Sequence, residues 1–131
     1  MFSSVFTLQV AEALSHAARR DVVHRDIKPS NVLVYEQDGN AVPKVIDFGI
    51  AKASINQVTT RAGLFKGKLQ YAAPQRLLNL PIDRRDDIYS LGSVLYKTAT
   101  GIPPIQAESD GAVIKKILDG DFLEPKEIVP D

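Results

Sequence analysis

The chain has 131 residues, of which 44% are hydrophobic and 24% are charged, a composition typical of a soluble globular domain with one core. Sixteen basic residues balance sixteen acidic ones, so bulk charge gives no reason to expect binding to nucleic acid or to a membrane surface. No apolar run is long enough to cross a bilayer, and the first residues lack the pattern of a signal peptide. The absence of cysteine excludes disulfides and thiolate zinc sites, and we expect a cytoplasmic location.

The first part of the chain is predicted to form one helix followed by a small β-hairpin. Residues 5–19 carry apolar side chains at helical spacing, and residues 22–23 are predicted to be a short strand. The segments 32–35 and 44–46 are apolar and rich in β-branched residues. A turn signal at residues 38–40 separates them, so together they predict a hairpin.

The second part is predicted to be mainly helical after a long loop. Residues 50–73 show no sustained period, and loops of that length are uncommon unless they have a function. The next helix is predicted to be capped by Asp86 or Asp87, to be buried on nearly all sides, and to end at Gly101. A last helix is predicted over about 110–120.

The strongest functional signal is the run His24-Arg25-Asp26-Ile27-Lys28-Pro29-Ser30-Asn31, followed sixteen residues after Asn31 by Asp47-Phe48-Gly49. This pattern is typical of metal-dependent phosphoryl transfer. Asp26 is placed to accept the proton of a hydroxyl group. Asn31 and Asp47 are placed to hold the metal ions on a nucleoside triphosphate.

Two further motifs, Tyr71-Ala72-Ala73-Pro74 and Asp87-Ile88-Tyr89-Ser90-Leu91-Gly92, follow in order. The four motifs together resemble those of a eukaryotic-like protein Ser/Thr kinase of the kind also found in bacteria. The resemblance covers essentially the whole chain, as a partial kinase domain over 1–131 that is truncated at both ends. It implies an α+β fold, the C-terminal lobe (C-lobe), which is mainly α-helical with a small β-hairpin. In that lobe the catalytic loop is 24–31, the metal-binding motif 47–49 and the activation loop about 50–73.

The resemblance also implies a role for each residue of the motifs. Asp26 would be the catalytic base, and Lys28 the cation that steadies the transferred phosphoryl group, as in Ser/Thr-specific kinases. Asn31 and Asp47 are oxygen ligands suited to Mg²⁺, and with Lys28 they would hold ATP. Asp87 resembles the helix residue that tethers the backbone of the catalytic loop. Taken singly, each is also explained as a turn, surface or cap residue, and the ordered set favours the functional interpretation.

Regulation is predicted at Arg25, which in the resembled family often pairs with a phosphate on the activation loop. Thr59 and Thr60 are the candidate acceptors of that phosphate, ahead of Ser54. They are equally well explained as ordinary loop residues.

The chain departs from the family pattern at two residues and lacks two of the family's motifs. Gln75 stands where the family usually has Glu, and a neutral residue there leaves no buried charge unpaired. Lys68 stands where many members have Thr. No glycine-rich loop and no nucleotide-anchoring lysine precede His24 in this chain, so the resemblance implies that the N-terminal lobe (N-lobe) is absent and that ATP binding is weak.

Three functions remain open from the sequence. The first is a protein Ser/Thr kinase that transfers the γ-phosphate of ATP, with Mg²⁺, to a Ser or Thr hydroxyl of a protein substrate, and that is weak or inactive as an isolated fragment. The second is a non-catalytic, pseudokinase-like interaction module that uses the C-lobe surface around the last two helices to bind a partner. A partner that covers the face where an N-lobe would lie is also left open. The third is an unrelated α+β domain.

Overall fold

Two ranges of the chain, 2–48 and 69–130, are described by the computed structural model. Within them, no helix is long and apolar enough to cross a membrane. Single turns of 3-10 helix occupy Pro29–Asn31 and Leu69–Tyr71. The helices and strands, in chain order, are α1 (Phe2–Ala18), β1 (Val32–Gln37), β2 (Asn40–Val45), α2 (Pro74–Leu77), α3 (Arg84–Thr100), α4 (Asp110–Asp119) and α5 (Pro125–Ile128).

The first helix buries one stripe of apolar side chains. Val10 and Leu14 lie one helical turn apart, and both are buried on the same face of α1. The helix predicted over 5–19 is therefore confirmed, although it begins at Phe2 and ends at Ala18.

The strand predicted at residues 22–23 is wrong. The sheet within the described residues consists of β1 and β2. The amide of Val22 instead donates to the carbonyl oxygen of Ala17, at 3.0 Å, and so completes the end of α1. The next amides, those of His24 and Arg25, are bound by a side chain of α3 rather than by a neighbouring strand.

The predicted hairpin is confirmed. β1 and β2 pair antiparallel, with Val32 opposite Val45. Asp38 and Gly39 form the connection and have φ values of 52° and 77°, the two positive values of a turn that follows the twist of the strands. Because the strands are antiparallel, the residues that precede Val32 lie beside those that follow Val45.

The N-terminal end of α3 lies earlier than predicted. Asp83 is the N-cap, and its Oδ1 accepts the amide of Arg85 at 2.9 Å. Asp86 and Asp87 are not caps; they lie within the first turn and are 3% and 5% exposed. The C-terminal end at Gly101, with φ of 82°, is confirmed.

The region predicted as a loop over 50–73 lies mostly outside the described residues, which exclude 49–68. Its described end contains the turn Leu69–Tyr71. The last predicted helix is confirmed as α4. The Ser109 side chain caps its start, and Gly120, with φ of 66°, ends it.

Two apolar clusters pack against α3. The smaller one is formed around α4 by Ile105, Val113 and Ile117, with Leu77 and Tyr89 packed on it. The prediction that α3 is buried on nearly all sides is wrong at Ile88, which is 63% exposed. The larger cluster joins α1, the hairpin and α3, and contains Val10, Leu14, Ile27, Val32, Tyr71, Leu91 and Val94.

The same substitution is expected to have opposite effects at two glycines of α3. An added Cβ would meet no other atom within 4 Å at Gly92 or at Gly101. Gly92→Ala should stabilise the fold by about 0.5–1 kcal/mol through helix propensity. Gly101→Ala should destabilise it by about 1–2 kcal/mol, because a side chain is strained at positive φ. Urea unfolding of both variants measures the difference, and shifts of the same sign would contradict this account of the helix end.

Candidate active site

The loop 24–31, which is predicted to be the catalytic loop, is held by the carboxylate of Asp87. The amide of His24 donates to Oδ2 at 2.7 Å, and the amide of Arg25 donates to Oδ1 at 2.9 Å. Asp87 is only 5% exposed, and hydrogen bonds to a buried ionised carboxylate are short and strong. The first turn of α3 thus fixes the backbone immediately before Asp26.

The imidazole of His24 joins this loop to the segment after β2. The amide of Asp26 can only donate, so Nδ1 of His24 accepts its hydrogen at 3.1 Å. The proton of the neutral ring is then on Nε2, which donates to the carbonyl oxygen of Ile46 at 2.7 Å. The ring is fully buried and lies against Phe48, with ring centres 4.6 Å apart. His24 therefore positions both Asp26 and the residue that precedes Asp47.

Two residues of the site have a left-handed backbone. Arg25 has φ of 69° and Asp47 has φ of 57°, a conformation that costs a residue with a side chain about 1–2 kcal/mol. Arg25 lies between His24 and Asp26, whose amides are both hydrogen-bonded, and Asp47 follows Ile46, whose amide and carbonyl oxygen are both hydrogen-bonded. Backbone strain of this kind is concentrated at functional sites.

Asn31 arranges the polar centre of the site. Its Nδ2 donates to the main-chain oxygen of Asp26 at 2.8 Å and to the carboxylate Oδ2 of Asp26 at 3.2 Å. Nζ of Lys28 lies 3.9 Å from the same Oδ2. The structure therefore brings Asp26, Lys28 and Asn31 together, with a carboxylate oxygen between an ammonium and an amide group. The amide of Ile46 donates to the carbonyl oxygen of Asn31 at 2.9 Å, which joins this centre to the residue before Asp47.

The residues present fit Mg²⁺ bound together with phosphate. Because Nδ2 of Asn31 is used by Asp26, its Oδ1 is the atom left to act as a ligand. Asp47 presents an exposed carboxylate. In the described ranges there is no group of three or more His, Cys, Asp or Glu residues that could hold a metal ion. Mg²⁺ is commonly held by one or two protein oxygens plus water and substrate phosphates, which this pair could provide.

Several predicted residues lie outside the described ranges. Gly49 of the metal-binding motif, the candidate phosphate acceptors Thr59 and Thr60, and Lys68 all fall within 49–68. Their roles stay predictions.

Sequence reasoning missed two contacts that fix segment 71–76 to α3. The Ser90 hydroxyl donates to the carbonyl oxygen of Tyr71 at 2.6 Å. A guanidinium nitrogen of Arg76 lies 2.7 Å from Oδ2 of Asp86, whose side chain is 2% exposed. The only signal in the sequence was the doublet of aspartates at 86–87, which was assigned to capping.

The departure at Gln75 agrees with its surroundings. Its Oε1 is buried and has no hydrogen-bond partner among the described residues. An unpaired neutral oxygen costs about 1–3 kcal/mol, whereas an unpaired buried carboxylate costs more.

Comparison with known proteins decides the family. Residues 3–128 match the model of the protein kinase domain. The chain belongs to the protein kinase domain family. The fold is therefore protein kinase-like, with mixed helices and a two-stranded antiparallel sheet in the described part.

The relatives are bacterial kinases that are much longer than this chain. The tyrosine-protein kinase MasK of Myxococcus xanthus is 42% identical over 130 residues, which are 99% of this chain and 19% of MasK. A probable serine/threonine-protein kinase of Clostridium acetobutylicum is 39% identical over 126 residues, 96% of this chain and 19% of that protein. The serine/threonine-protein kinase PknH of Mycobacterium tuberculosis is 38% identical over 122 residues, 93% of this chain and 19% of PknH. The chain thus spans about a fifth of the length of these relatives.

Replacing Asp87 by Ala is expected to release the catalytic loop. The buried amide of His24 and the partly buried amide of Arg25 lose their acceptor, and each such bond is worth about 1.5–3 kcal/mol. Urea unfolding should show a loss of about 3–6 kcal/mol, and hydrogen exchange should be faster at the amides of His24 and Arg25. Asp110→Ala, at an exposed aspartate in the first turn of α4, is the control and should leave both amides protected. Unchanged exchange in Asp87→Ala would contradict the tether.

Proposed function

We propose that this chain is the C-lobe of a protein Ser/Thr kinase and carries the groups for transfer of the γ-phosphate of ATP to a hydroxyl. The observation that carries the proposal is the carboxylate of Asp26, which lies between Nζ of Lys28 and the amide group of Asn31. Membership of the kinase family supports the same conclusion. In this proposal the catalytic loop is 24–31, the metal-binding motif is 47–49, and the activation loop is about 50–73.

Each side chain has a defined task in this reaction. Asp26 orients the hydroxyl group of the substrate and accepts its proton as the bond from the hydroxyl oxygen to the γ-phosphorus forms. The bond from the γ-phosphorus to the β,γ-bridging oxygen of ATP breaks, and ADP leaves. Lys28 lies beside Asp26 and neutralises negative charge on the transferred group. Asn31 and Asp47 would hold Mg²⁺, and bound Mg²⁺ supplies charge neutralisation on the phosphate oxygens of ATP.

The acceptor is proposed to be Ser or Thr in a protein. The support is Lys28, two residues after Asp26, together with the relatives named serine/threonine-protein kinases. The relative MasK is named a tyrosine-protein kinase, so the acceptor needs a direct test. Peptides that differ only in carrying Ser, Thr or Tyr at the acceptor position provide it, and phosphorylation confined to the Tyr peptide would refute the assignment.

Regulation by the activation loop forms part of the proposal. Arg25 would bind a phosphate carried by Thr59 or Thr60, because a guanidinium group suits phosphate geometry. A cytoplasmic location would supply the ATP.

The alternative is a pseudokinase-like interaction module. The observation in its favour is strand β1, where Leu33, Val34 and Tyr35 are 50%, 52% and 45% exposed. Successive side chains of a strand point to opposite faces, so both faces of the hairpin carry apolar surface that a partner would bury. The two functions differ in whether phosphate transfer depends on Asp26.

Asp26→Asn is expected to abolish phosphate transfer while preserving the fold. Asparagine keeps an oxygen that can accept from Asn31 but cannot take up a proton, so the rate should fall by about 10²–10⁴-fold. Transfer of labelled phosphate from ATP to a Ser/Thr substrate is measured in an active protein that contains this chain. Asp21→Asn, the same substitution at an exposed aspartate outside the site, is the control. Normal turnover in Asp26→Asn would exclude Asp26 as the base.

Asp47→Asn is expected to weaken binding of the metal–nucleotide complex by at least about tenfold, because a charged oxygen ligand is lost. Asparagine tolerates the left-handed backbone at this position. The measurement is NMR line broadening by Mn²⁺ and ADP, followed at the amides near Asn31 and Ile46. Asp38→Asn, at the exposed hairpin turn, is the control and should broaden like the unmodified chain. Equal broadening in Asp47→Asn would remove Asp47 from the metal site.

A further inference from the structure

Two carboxyl groups lie side by side in the first turn of α3. Asp86 and Asp87 are 3% and 5% exposed, and neighbouring buried charges of the same sign repel each other. Asp87 is satisfied by the amides of His24 and Arg25. Asp86 is satisfied differently, by the guanidinium group of Arg76 on α2, whose terminal nitrogen is 2.7 Å from Oδ2.

The environment of Asp86 shows how much depends on Arg76. Burial raises the pKa of Asp86 above its usual value, Arg76 lowers it, the charge of Asp87 raises it, and Arg25 lowers it. Oδ1 of Asp86 and Nε of Arg76 are buried and have no hydrogen-bond partner among the described residues. The pair is therefore joined through one nitrogen and one oxygen, and no other hydrogen bond compensates either group in the described part of the chain.

The geometry points to Arg76 as a positioning residue for the catalytic loop, acting through Asp86 and Asp87. By neutralising Asp86, Arg76 allows Asp87 beside it to keep its own charge and its two bonds to the loop before Asp26. Without Arg76, one guanidinium group fewer would compensate the two buried carboxyl groups. The first turn of α3 would then have to shift, or Asp86 would have to take up a proton. This joins α2, which follows the Tyr71-Ala72-Ala73-Pro74 motif, to the catalytic loop through charge.

The direct test is exchange of the His24 and Arg25 amides in Arg76→Met, which keeps an unbranched apolar stem and removes the guanidinium group with its charge. The Asp86 side chain is 2% exposed and that of Arg76 is 32% exposed. At pH 7.5 the protection of both amides should fall by at least about tenfold, since removal of Arg76 leaves the buried carboxylate uncompensated. Arg85→Met is the matched control. Arg85 pairs with Asp83 at the same 2.7 Å, one turn earlier, but the two side chains are 72% and 49% exposed, so protection should change by less than about twofold.

The pH dependence separates charge from packing. The folded pKa of Asp86 is raised, so protonation of Asp86 favours the folded state, and this benefit is lost as the pH rises through that pKa. Removing Arg76 raises the pKa further. The deficit of Arg76→Met in melting temperature should therefore be largest at pH 7.5 and shrink toward pH 5. The double variant Arg76→Met/Asp86→Asn, which lacks both charges, should regain the protection of the two amides at pH 7.5.

The outcomes are distinct. If Arg76→Met behaves like Arg85→Met, the inference is overturned. If Arg76→Met fails to fold at pH 7.5, the test of the inference is whether the double variant folds at that pH. A folded double variant supports the inference, and an unfolded one attributes the loss to packing and overturns it.

The effect on catalysis rests on the proposed function, whereas amide exchange needs no nucleotide. A slower phosphate transfer in Arg76→Met that recovers in the double variant is the expected kinetic result. If amide exchange responds as expected while Asp26→Asn retains transfer, the proposed function fails and the positioning role of Arg76 stands.

Discussion

The site depends on one carboxylate that is buried far from its partners in sequence. Asp87 accepts the amides of His24 and Arg25, which lie 63 and 62 residues earlier. No strand pairs with this part of the loop in the described structure. The Asp87 carboxylate therefore accepts the two amides in place of the backbone oxygens of a neighbouring strand. Once these amides are fixed, the left-handed conformation of Arg25 is held, and His24 and Asn31 can bind the segment that leads to Asp47.

The regular elements could be predicted from the sequence because their signals are local. The apolar spacing of α1, the turn of the hairpin and the glycine after α3 all act within a few residues. The predictions of a strand at 22–23 and of Asp86 or Asp87 as the cap of α3 were wrong because contacts between distant parts of the chain decide these regions. Two valines suit a strand, but their segment leads to amides bound by a distant aspartate. Asp83 supplied the cap, which left Asp86 and Asp87 for tertiary contacts.

The candidate site was predictable as a set of residues and much less as a geometry. Resemblance to kinases predicted Asp26, Lys28, Asn31, Asp47 and Asp87 as site residues, and the structure brings the first three together. The tautomer of His24 and the orientation of Asn31 depend on contacts between the loop and segment 46–48, which spacing does not reveal. The pairing of Arg76 with Asp86 joins two helices ten residues apart, and nothing in either residue alone distinguishes it from a surface ion pair.

The two apolar clusters have a consequence for how the fold opens. Asp26, Lys28 and Asn31 are supported by the larger cluster, which contains Ile27 and Val32. The smaller cluster around α4 supports the other side, through Leu69 and Leu77, which flank the Tyr71-Ala72-Ala73-Pro74 motif. Proteins open in cooperative units that follow such divisions. Opening of the α4 unit would free α2 and with it Arg76, so the two regions of local stability meet along α3 and are linked by the pair Arg76–Asp86.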